Sequence, residues 1–241
     1  MLTIRFSHFA MKKFLPLFIC FSLPFAPSVN AADDWGTWIS STYQTDFGGS
    51  RYLAFLELAP RLKEDSSEFS QFIMRPLLGY KITPKLQLWL GYTWQGEYSD
   101  HAGVGFDNAT QDLMQQVQWI ENPTPALNLQ YRFRLEQRFF ADADSGHRIR
   151  HRLRLQYTLP GTNAYLIAID ELFIYLNSLN ASPRENSVQP GVNQNRSYVG
   201  IGYKLTPHIN LDTGYQLQYI NNFSGQDAHN SIWFTNINFN F

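Results

Sequence analysis

The carboxy-terminal segment alternates between apolar and polar side chains with a period of two. From Trp233 to Phe241 every second residue is apolar or Thr, and from Asn236 onward the residues between them are all Asn. A period of two places the two sets on opposite faces of a β-strand. A strand with lipid on one face and a polar lumen on the other requires this pattern.

The same alternation recurs along most of the chain. It is strong at 86–95, 127–136, 148–157, 198–205 and 209–219, and weaker at 35–43, 51–62, 69–82, 111–121 and 164–177. Aromatic residues make up 16% of the chain while the mean hydropathy is −0.30, a combination that fits alternating strands. The pattern predicts an all-β fold, an antiparallel transmembrane β-barrel of about 10–12 strands.

The connections between these segments alternate in length. Tight, Pro-containing turns lie at 83–85, 122–125, 159–162 and 206–208, and longer polar loops lie at 99–110, 140–147, 178–193 and 221–228. This alternation is typical of short periplasmic turns and longer extracellular loops. Eleven segments conflict with the even strand number of bacterial barrels. We therefore expect ten strands if 35–43 lies outside the wall, or twelve if one strand is hidden.

The amino-terminal region predicts export. Met11-Lys12-Lys13 is followed by an apolar stretch that is too short to span a membrane as a helix, and Val29-Asn30-Ala31 is a small-residue cleavage site. Residues 1–31 are thus interpreted as a signal peptide and 32–241 as the barrel. Cys20 lies within the signal, so the mature chain offers neither a disulfide nor a thiol nucleophile.

Charge and side-chain chemistry exclude two other classes. Without the signal, 16 basic residues face 20 acidic ones, which gives no support to nucleic-acid binding. A soluble periplasmic β-sandwich would also alternate, but the faces that carry Arg, Gln, Asn and Glu could not form its core.

A cluster of arginines is the main candidate functional feature. The cluster lies on adjacent faces of two neighbouring strands. Its members are Arg132, Arg134, Glu136, Arg138, Arg148, Arg150, Arg152 and Arg154. So many guanidinium groups need water or counter-charges, and the candidate partners are Glu136, Glu171 and Glu57. Two interpretations stay open: a charge ladder that fills and stiffens the lumen, or an electropositive lumen that selects anions. Arg148, nearest the outer loop, is also a candidate contact for lipopolysaccharide phosphate.

Hydrolytic chemistry has weaker support. His229 and Ser231 share a strand face, where an imidazole could activate a hydroxyl, but no third residue follows to orient the histidine. Asp142, Asp144 and Asp227 are loop acids that read as solvated side chains. No histidine pair has zinc-ligand spacing, and we predict no metal, cofactor or catalytic residue.

Several motifs together resemble a known family. In chain order these are Trp35, Arg75-Pro76-Leu77-Leu78-Gly79-Tyr80, the Arg132–Phe139 and Arg148–Arg154 segments, Glu171-Leu172-Phe173, Asn195-Arg196, Gly200-Ile201-Gly202-Tyr203 and Gly214-Tyr215. They resemble the domain-of-unknown-function family 2490 of bacterial secreted proteins. The resemblance implies an outer-membrane barrel with no established activity, and it adds Glu171 and Arg196 to the luminal cluster.

The sequence thus predicts a non-enzymatic barrel in the outer membrane of a Gram-negative bacterium. It would be a narrow anion-favouring channel or a structural surface barrel, because small barrels are filled by side chains. The alternative is a hydrolase that acts on lipid or peptide at the extracellular rim. Expected partners are outer-membrane lipid, lipopolysaccharide and, through Phe241, the barrel-assembly machinery, and the expected state is a monomer.

Overall fold

The computed structural model describes residues 32–98, 108–141, 144–179, 188–222 and 227–241. Eleven β-strands run through these ranges: β1 Ala32–Thr45, β2 Tyr52–Lys63, β3 Glu68–Lys81, β4 Leu86–Glu97, β5 Asn108–Thr124, β6 Leu127–Phe139, β7 Gly146–Thr158, β8 Ala164–Tyr175, β9 Gly191–Lys204, β10 Ile209–Ile220 and β11 Ala228–Asn240. Within the described ranges, no helix has the length and hydrophobicity needed to cross a membrane.

The strands close into a single barrel, which confirms the predicted fold class. Each strand pairs with its sequence neighbours in antiparallel fashion, and the barrel closes where β1 pairs with β11 in parallel, from Ala32 opposite Ala228 to Gln44 opposite Asn240. All eleven predicted segments therefore lie in the wall, including 35–43. The expectation of an even number was wrong because an antiparallel seam requires even strands, whereas a parallel seam closes an odd number.

Each end of the barrel has its own kind of connection. One end carries the turns after β1, β3, β5, β7 and β9 and the end of β11, and we call it the tight-turn end. The opposite, long-loop end carries the connections that the sequence predicted to be long. The β2–β3 connection at that end is an exception, because it is a four-residue turn, 64–67, in which three residues adopt positive φ.

The two faces of the wall differ as the alternation predicted. Large apolar side chains are exposed on the outside, among them Leu78 at 71% and Leu90 at 62%. In β3, Met74 and Leu78 point outward and Arg75 is buried in the lumen. The inner face is not uniformly polar, because Trp89, Leu53, Leu77 and Met114 pack together as a small apolar cluster in the lumen.

Glycines on the inner face make room for two buried tyrosines. A Cβ on Gly202 would lie 2.1 Å from the Tyr165 ring, and a Cβ on Gly200 would lie 2.2 Å from the Tyr198 hydroxyl. Glycine within a strand often marks a close approach of this kind. Tyr165 then reaches over Gly202 of β9 and donates a hydrogen bond to Asp212 on β10.

Candidate functional site

The predicted charge cluster faces the lumen at every position. Arg132, Arg134, Glu136 and Arg138 lie on β6, the four arginines from Arg148 to Arg154 on β7, Glu171 on β8 and Arg196 on β9. Because β6 and β7 pair directly, Arg132 lies opposite Arg152, and Arg134 lies opposite Arg150. This register puts like charges side by side, so the structure must supply carboxylates between them.

Glu136 is the main counter-charge and is completely buried, with 0% of its surface exposed. Its carboxylate accepts hydrogen bonds from Arg148 Nε at 2.7 Å and Arg150 Nη1 at 2.8 Å. Arg134 Nη1 lies 3.5 Å from the same carboxylate. One glutamate thus serves three arginines, and burying such charges is tolerable only when they are paired and hydrogen-bonded.

Three further carboxylates continue the network around the wall. Glu171 accepts hydrogen bonds from Arg150 Nη2 at 2.9 Å and from Arg132. Arg138 donates from Nε to Asp112 at 3.1 Å. Arg75, which donates to Thr93 at 3.0 Å, also donates to Glu57.

Other luminal arginines lack such a partner. Among the described residues, no carboxylate lies within ion-pair distance of Arg61, Arg152 or Arg196. Arg61 donates to the amide oxygen of Gln71 at 3.1 Å and lies 3.7 Å from the centre of the Trp38 ring. Arg196 lies against the Gln194 side-chain amide and near two aromatic rings. Amides and aromatic faces stabilise a cation without neutralising it.

Three cavities follow one another along the lumen. The first, at the long-loop end, has a volume of about 420 Å³, and another, at the tight-turn end, has a volume of about 340 Å³. Between them lies a middle chamber of about 100 Å³. It shares Arg61 and Arg196 with the cavity at the long-loop end, and Arg132 and Arg152 with the cavity at the tight-turn end. The arginine network therefore surrounds the narrowest of the three cavities.

Positive charge exceeds negative charge along this path. Among the described residues, ten arginines and Lys63 line the three cavities, against five carboxylates, with Glu136 buried behind them. The lining arginines are Arg61, Arg75, Arg132, Arg134, Arg138, Arg148, Arg150, Arg152, Arg154 and Arg196; the lining carboxylates are Glu57, Glu97, Asp112, Glu171 and Asp212. The described lining of the lumen therefore carries net positive charge.

Sequence reasoning did not single out several residues of this site. Arg61 and Trp38 lie in the weaker segments 51–62 and 35–43, to which no inward face was assigned. Asp112 lies in another weak segment. Phe173 was quoted only as part of a motif, yet it is buried and lies within 4.4 Å of the Arg150 guanidinium carbon. The alternation within each strand was the signal that could have identified these residues. Glu57 and Arg61, for example, are an even number of positions apart and therefore share a face.

The structure does not assemble the alternative hydrolytic site. His229 packs against the Tyr219 ring, and the Ser231 hydroxyl is hydrogen-bonded to the Tyr215 hydroxyl at 2.9 Å. No hydrogen bond joins His229 to Ser231. Asp227 accepts a hydrogen bond from Tyr219 at 2.6 Å, which ties it to the wall rather than to an opposing loop.

The structure also bears on two smaller hypotheses from the sequence, the exposure of Arg148 and the role of the loop acids. Arg148 is buried in the lumen against Glu136, so its side chain does not face lipopolysaccharide as proposed from the sequence. Asp142 lies outside the described residues. Among the described residues, no group of three His, Cys, Asp or Glu side chains is placed to hold a metal ion.

Comparison with known proteins places this site in an uncharacterised family. An uncharacterized protein of Methylorubrum extorquens (strain AM1) is 27% identical over 191 residues, which cover 78% of this chain and 79% of that protein. A NanC porin structure matches with a TM-score of 0.43 and 12% identity, covering 76% of this chain and 87% of the porin. The model of a protein family of unknown function, DUF2490, matches residues 35–230. The chain belongs to the DUF2490 family.

Proposed function

We propose that this protein is an outer-membrane β-barrel whose lumen forms a narrow, anion-favouring path. The observation that carries the proposal is the excess of arginine over carboxylate around three successive cavities. A purely structural charge ladder would be expected to balance its charges, because each unpaired buried cation costs free energy.

The outer surface supports the membrane location. Leu78, Leu90, Val199 and Ile201 are each at least 60% exposed on the outside of the barrel. Contiguous exposed apolar surface of this kind marks contact with lipid or protein, and an apolar outer wall around a polar lumen is the pattern of membrane barrels.

The sequence supplies the rest of the cellular setting. Residues 1–31 act as the signal peptide, the tight-turn end lies in the periplasm, and the long-loop end faces outward in contact with lipopolysaccharide. Phe241, at the end of β11, serves as the recognition element for the barrel-assembly machinery. The barrel works as a monomer because its wall and its path are complete within one chain.

The narrowness of the path follows from the side chains that fill it. A barrel of about eight strands has an interior just wide enough for side chains, whereas 16–18 strands leave an open aqueous channel. Eleven strands fall nearer the first case. We therefore expect a small conductance dominated by small anions rather than the behaviour of a general pore.

The test is a reversal-potential measurement in a planar bilayer. Refolded protein under a potassium chloride gradient should give steady steps with a reversal potential on the chloride side. Arg152→Gln should move that potential toward the potassium side, because it removes one charge from the middle chamber and from the tight-turn cavity.

A matched control separates the lumen from the rest of the barrel. Arg51→Gln makes the same chemical change on an exposed residue of the β1–β2 turn, and it should leave the reversal potential at the wild-type value. Cation-selective steps, or silence from protein shown to be inserted and folded, would overturn the proposal.

A further inference from the structure

The middle chamber has a lining that differs from a balanced salt-bridge network. Six arginines and two glutamates line its volume of about 100 Å³. A water molecule needs about 10–15 Å³ of such volume, so the chamber has room for several water molecules or for a small polyatomic ion.

Half of these arginines are ion-paired with the two glutamates. Arg75 donates to Glu57, while Arg132 and Arg150 both donate to Glu171. Those contacts use the carboxylates of the chamber, and they hold their arginines against the wall. They explain why Glu57 and Glu171 are present, but not the remaining positive charge.

The other three arginines make no ion pair in the described part of the chain, although Glu171 lies opposite Arg152 and Arg196 in the neighbouring strands. Arg61, Arg152 and Arg196 all line the chamber. Arg61 and Arg196 both lie against the Trp38 ring, with guanidinium carbons 3.7 Å and 4.8 Å from its centre. The aromatic ring holds two like charges close together, where repulsion would otherwise separate them.

We propose that the middle chamber is an oxyanion-binding site formed by Arg61, Arg152 and Arg196. Guanidinium groups present paired N–H donors that match carboxylate, phosphate and sulfate oxygens. An oxyanion here would supply a counter-charge to three arginines that make no ion pair with the described residues. The size of the chamber limits the ligand to a small oxyanion or to the charged group of a larger solute.

This inference deepens the proposed function, because it names the solute class of the path, and its relevance to transport rests on that function. Binding itself does not require conduction. It can be measured on the folded barrel in detergent, apart from any bilayer.

Isothermal titration of sulfate, phosphate and acetate into the refolded full-length protein is the direct test. Ionic strength is held constant with sodium chloride, so that non-specific screening does not change. We expect saturable binding of at least one of the three oxyanions at one site per barrel. Arg61→Gln and Arg196→Gln should each weaken it about ten-fold or more, through loss of charge-assisted hydrogen bonds.

Two further variants keep the result interpretable. Arg51→Gln, on the exposed turn, should bind as the wild type does, and Arg61→Lys should lie between wild type and Arg61→Gln because it keeps the charge but loses the planar donor pair. Each variant is first checked for folding by its heat-dependent electrophoretic mobility. Removing an unpaired buried cation should not unfold the barrel.

The possible outcomes distinguish the oxyanion-site proposal from the channel proposal. No saturable binding, or equal binding by wild type and by the luminal variants, would overturn the oxyanion site. Saturable binding in a barrel without anion selectivity would leave the site in place and overturn the channel proposal. Anion selectivity without oxyanion binding would leave the channel proposal in place and overturn the oxyanion site.

Discussion

Individual luminal side chains differ sharply in how their charge is compensated. Glu136 is fully buried and contacts three arginines, whereas Arg152 lies opposite Arg132 on one side and opposite Glu171 on the other and makes no ion pair among the described residues. Removing one partner of a buried network leaves uncompensated charge, while removing an excess charge relieves repulsion. The two residues should therefore respond in opposite ways to the loss of their charge.

Glu136→Gln should strongly destabilise the barrel. We expect a loss of about 3–5 kcal/mol in the free energy of unfolding, since Arg134, Arg148 and Arg150 lose their shared counter-charge. Unfolding in urea, followed by tryptophan fluorescence in detergent, measures the change. Glu121→Gln is the matched control. It breaks the exposed ion pair with Lys85 and should have little effect on stability, because solvent screens such pairs. Equal effects of the two substitutions would contradict the structure.

Arg152→Gln should leave the stability unchanged or raise it. The substitution removes a charge that lies opposite Arg132 across the β6–β7 pair, so repulsion falls, and it breaks no ion pair, because Glu171 across the β7–β8 pair is bonded to Arg132 and Arg150 instead. The same urea titration measures the effect, with Arg150→Gln as the comparison, because Arg150 bonds both Glu136 and Glu171. A loss of stability as large for Arg152→Gln as for Arg150→Gln would refute this view of the cluster.

Asp46 in the β1–β2 turn predicts a pH dependence. A hydrogen bond from Lys81, and a weaker contribution from the Gly49 amide, hold the pKa of the Asp46 carboxyl below its ordinary value of 3.8. A lowered pKa in the folded state gives stabilisation that is present above the ordinary pKa and is lost as the pH falls through the lowered value. The difference in unfolding midpoint between wild type and Asp46→Asn should therefore shrink as the pH is lowered from neutral into the acid range. A difference independent of pH would argue against the ion pair with Lys81.

At the scale of single elements, β9 is shaped by what stands on its inner face. Gly200 and Gly202 lie opposite Gly214 and Asp212 of β10, and their missing side chains leave space for Tyr165 and Tyr198. Because Tyr165 is also hydrogen-bonded to Asp212, its ring has little freedom to move aside. Gly200 and Gly202 thus determine how far the side chains of Tyr165 on β8 and Tyr198 on β9 can fill the lumen.

Gly202→Ala should destabilise this part of the wall by about 1–3 kcal/mol, the usual cost of overpacking. The added Cβ would lie 2.1 Å from the Tyr165 ring, so the ring or the strand must shift. The midpoint of heat-induced unfolding in detergent measures the cost. Val199→Ile, which adds a carbon to the exposed outer face of the same strand, should be neutral. A neutral Gly202→Ala would show that the tyrosine can move.

For the whole molecule, the parallel β1–β11 pair is the feature that fixes the strand number. Thr42 and Asn238 lie opposite each other in this pair, and the Thr42 hydroxyl donates to Asn238 Oδ1 at 2.8 Å. On the outer face, Tyr43 stacks on Phe239 with ring centres 4.8 Å apart. Contacts on both faces thus hold the same register.

A disulfide between positions 42 and 238 tests this closure. In a Cys20→Ser background, Thr42→Cys with Asn238→Cys should cross-link on oxidation, because paired residues in neighbouring strands lie within disulfide reach. The product should keep a compact electrophoretic mobility after heating. Thr42→Cys with Phe239→Cys is the control and should stay reduced, since those side chains point to opposite faces. A ten-strand barrel without β1 in its wall would cross-link neither pair.

The sequence allowed the strands and their faces to be predicted because the period of two is a local property. Each luminal position from Arg132 to Arg154 follows from the alternation alone, and the structure adds which of these arginines contact a carboxylate and which carboxylate each of them contacts. The role of 35–43 could not be derived in this way. Pairing between β1 and β11 joins segments that are nearly two hundred residues apart, and no local pattern encodes the direction of that pairing.

The middle chamber could not be predicted from the sequence for a related reason. Arg61, Arg152 and Arg196 come from three strands that are distant in sequence and meet only when the barrel closes. Trp38, which contacts two of them, belongs to β1, the strand whose place in the wall was in doubt. A hydrophobic residue on an inner face also looks like an irregularity in the alternation, not like a support for cations.

The parallel closure also limits how the chain can be rearranged. In a barrel with an even number of strands, the first strand starts beside the end of the last, and a short linker can join them. Here the end of β11 and the start of β1 lie at opposite ends of the wall, separated by thirteen paired residues, or about 40 Å at roughly 3.3 Å per residue. A circular permutant of this barrel would need a linker that spans the full height of the wall, so a loop of ordinary hairpin length could not replace the natural termini.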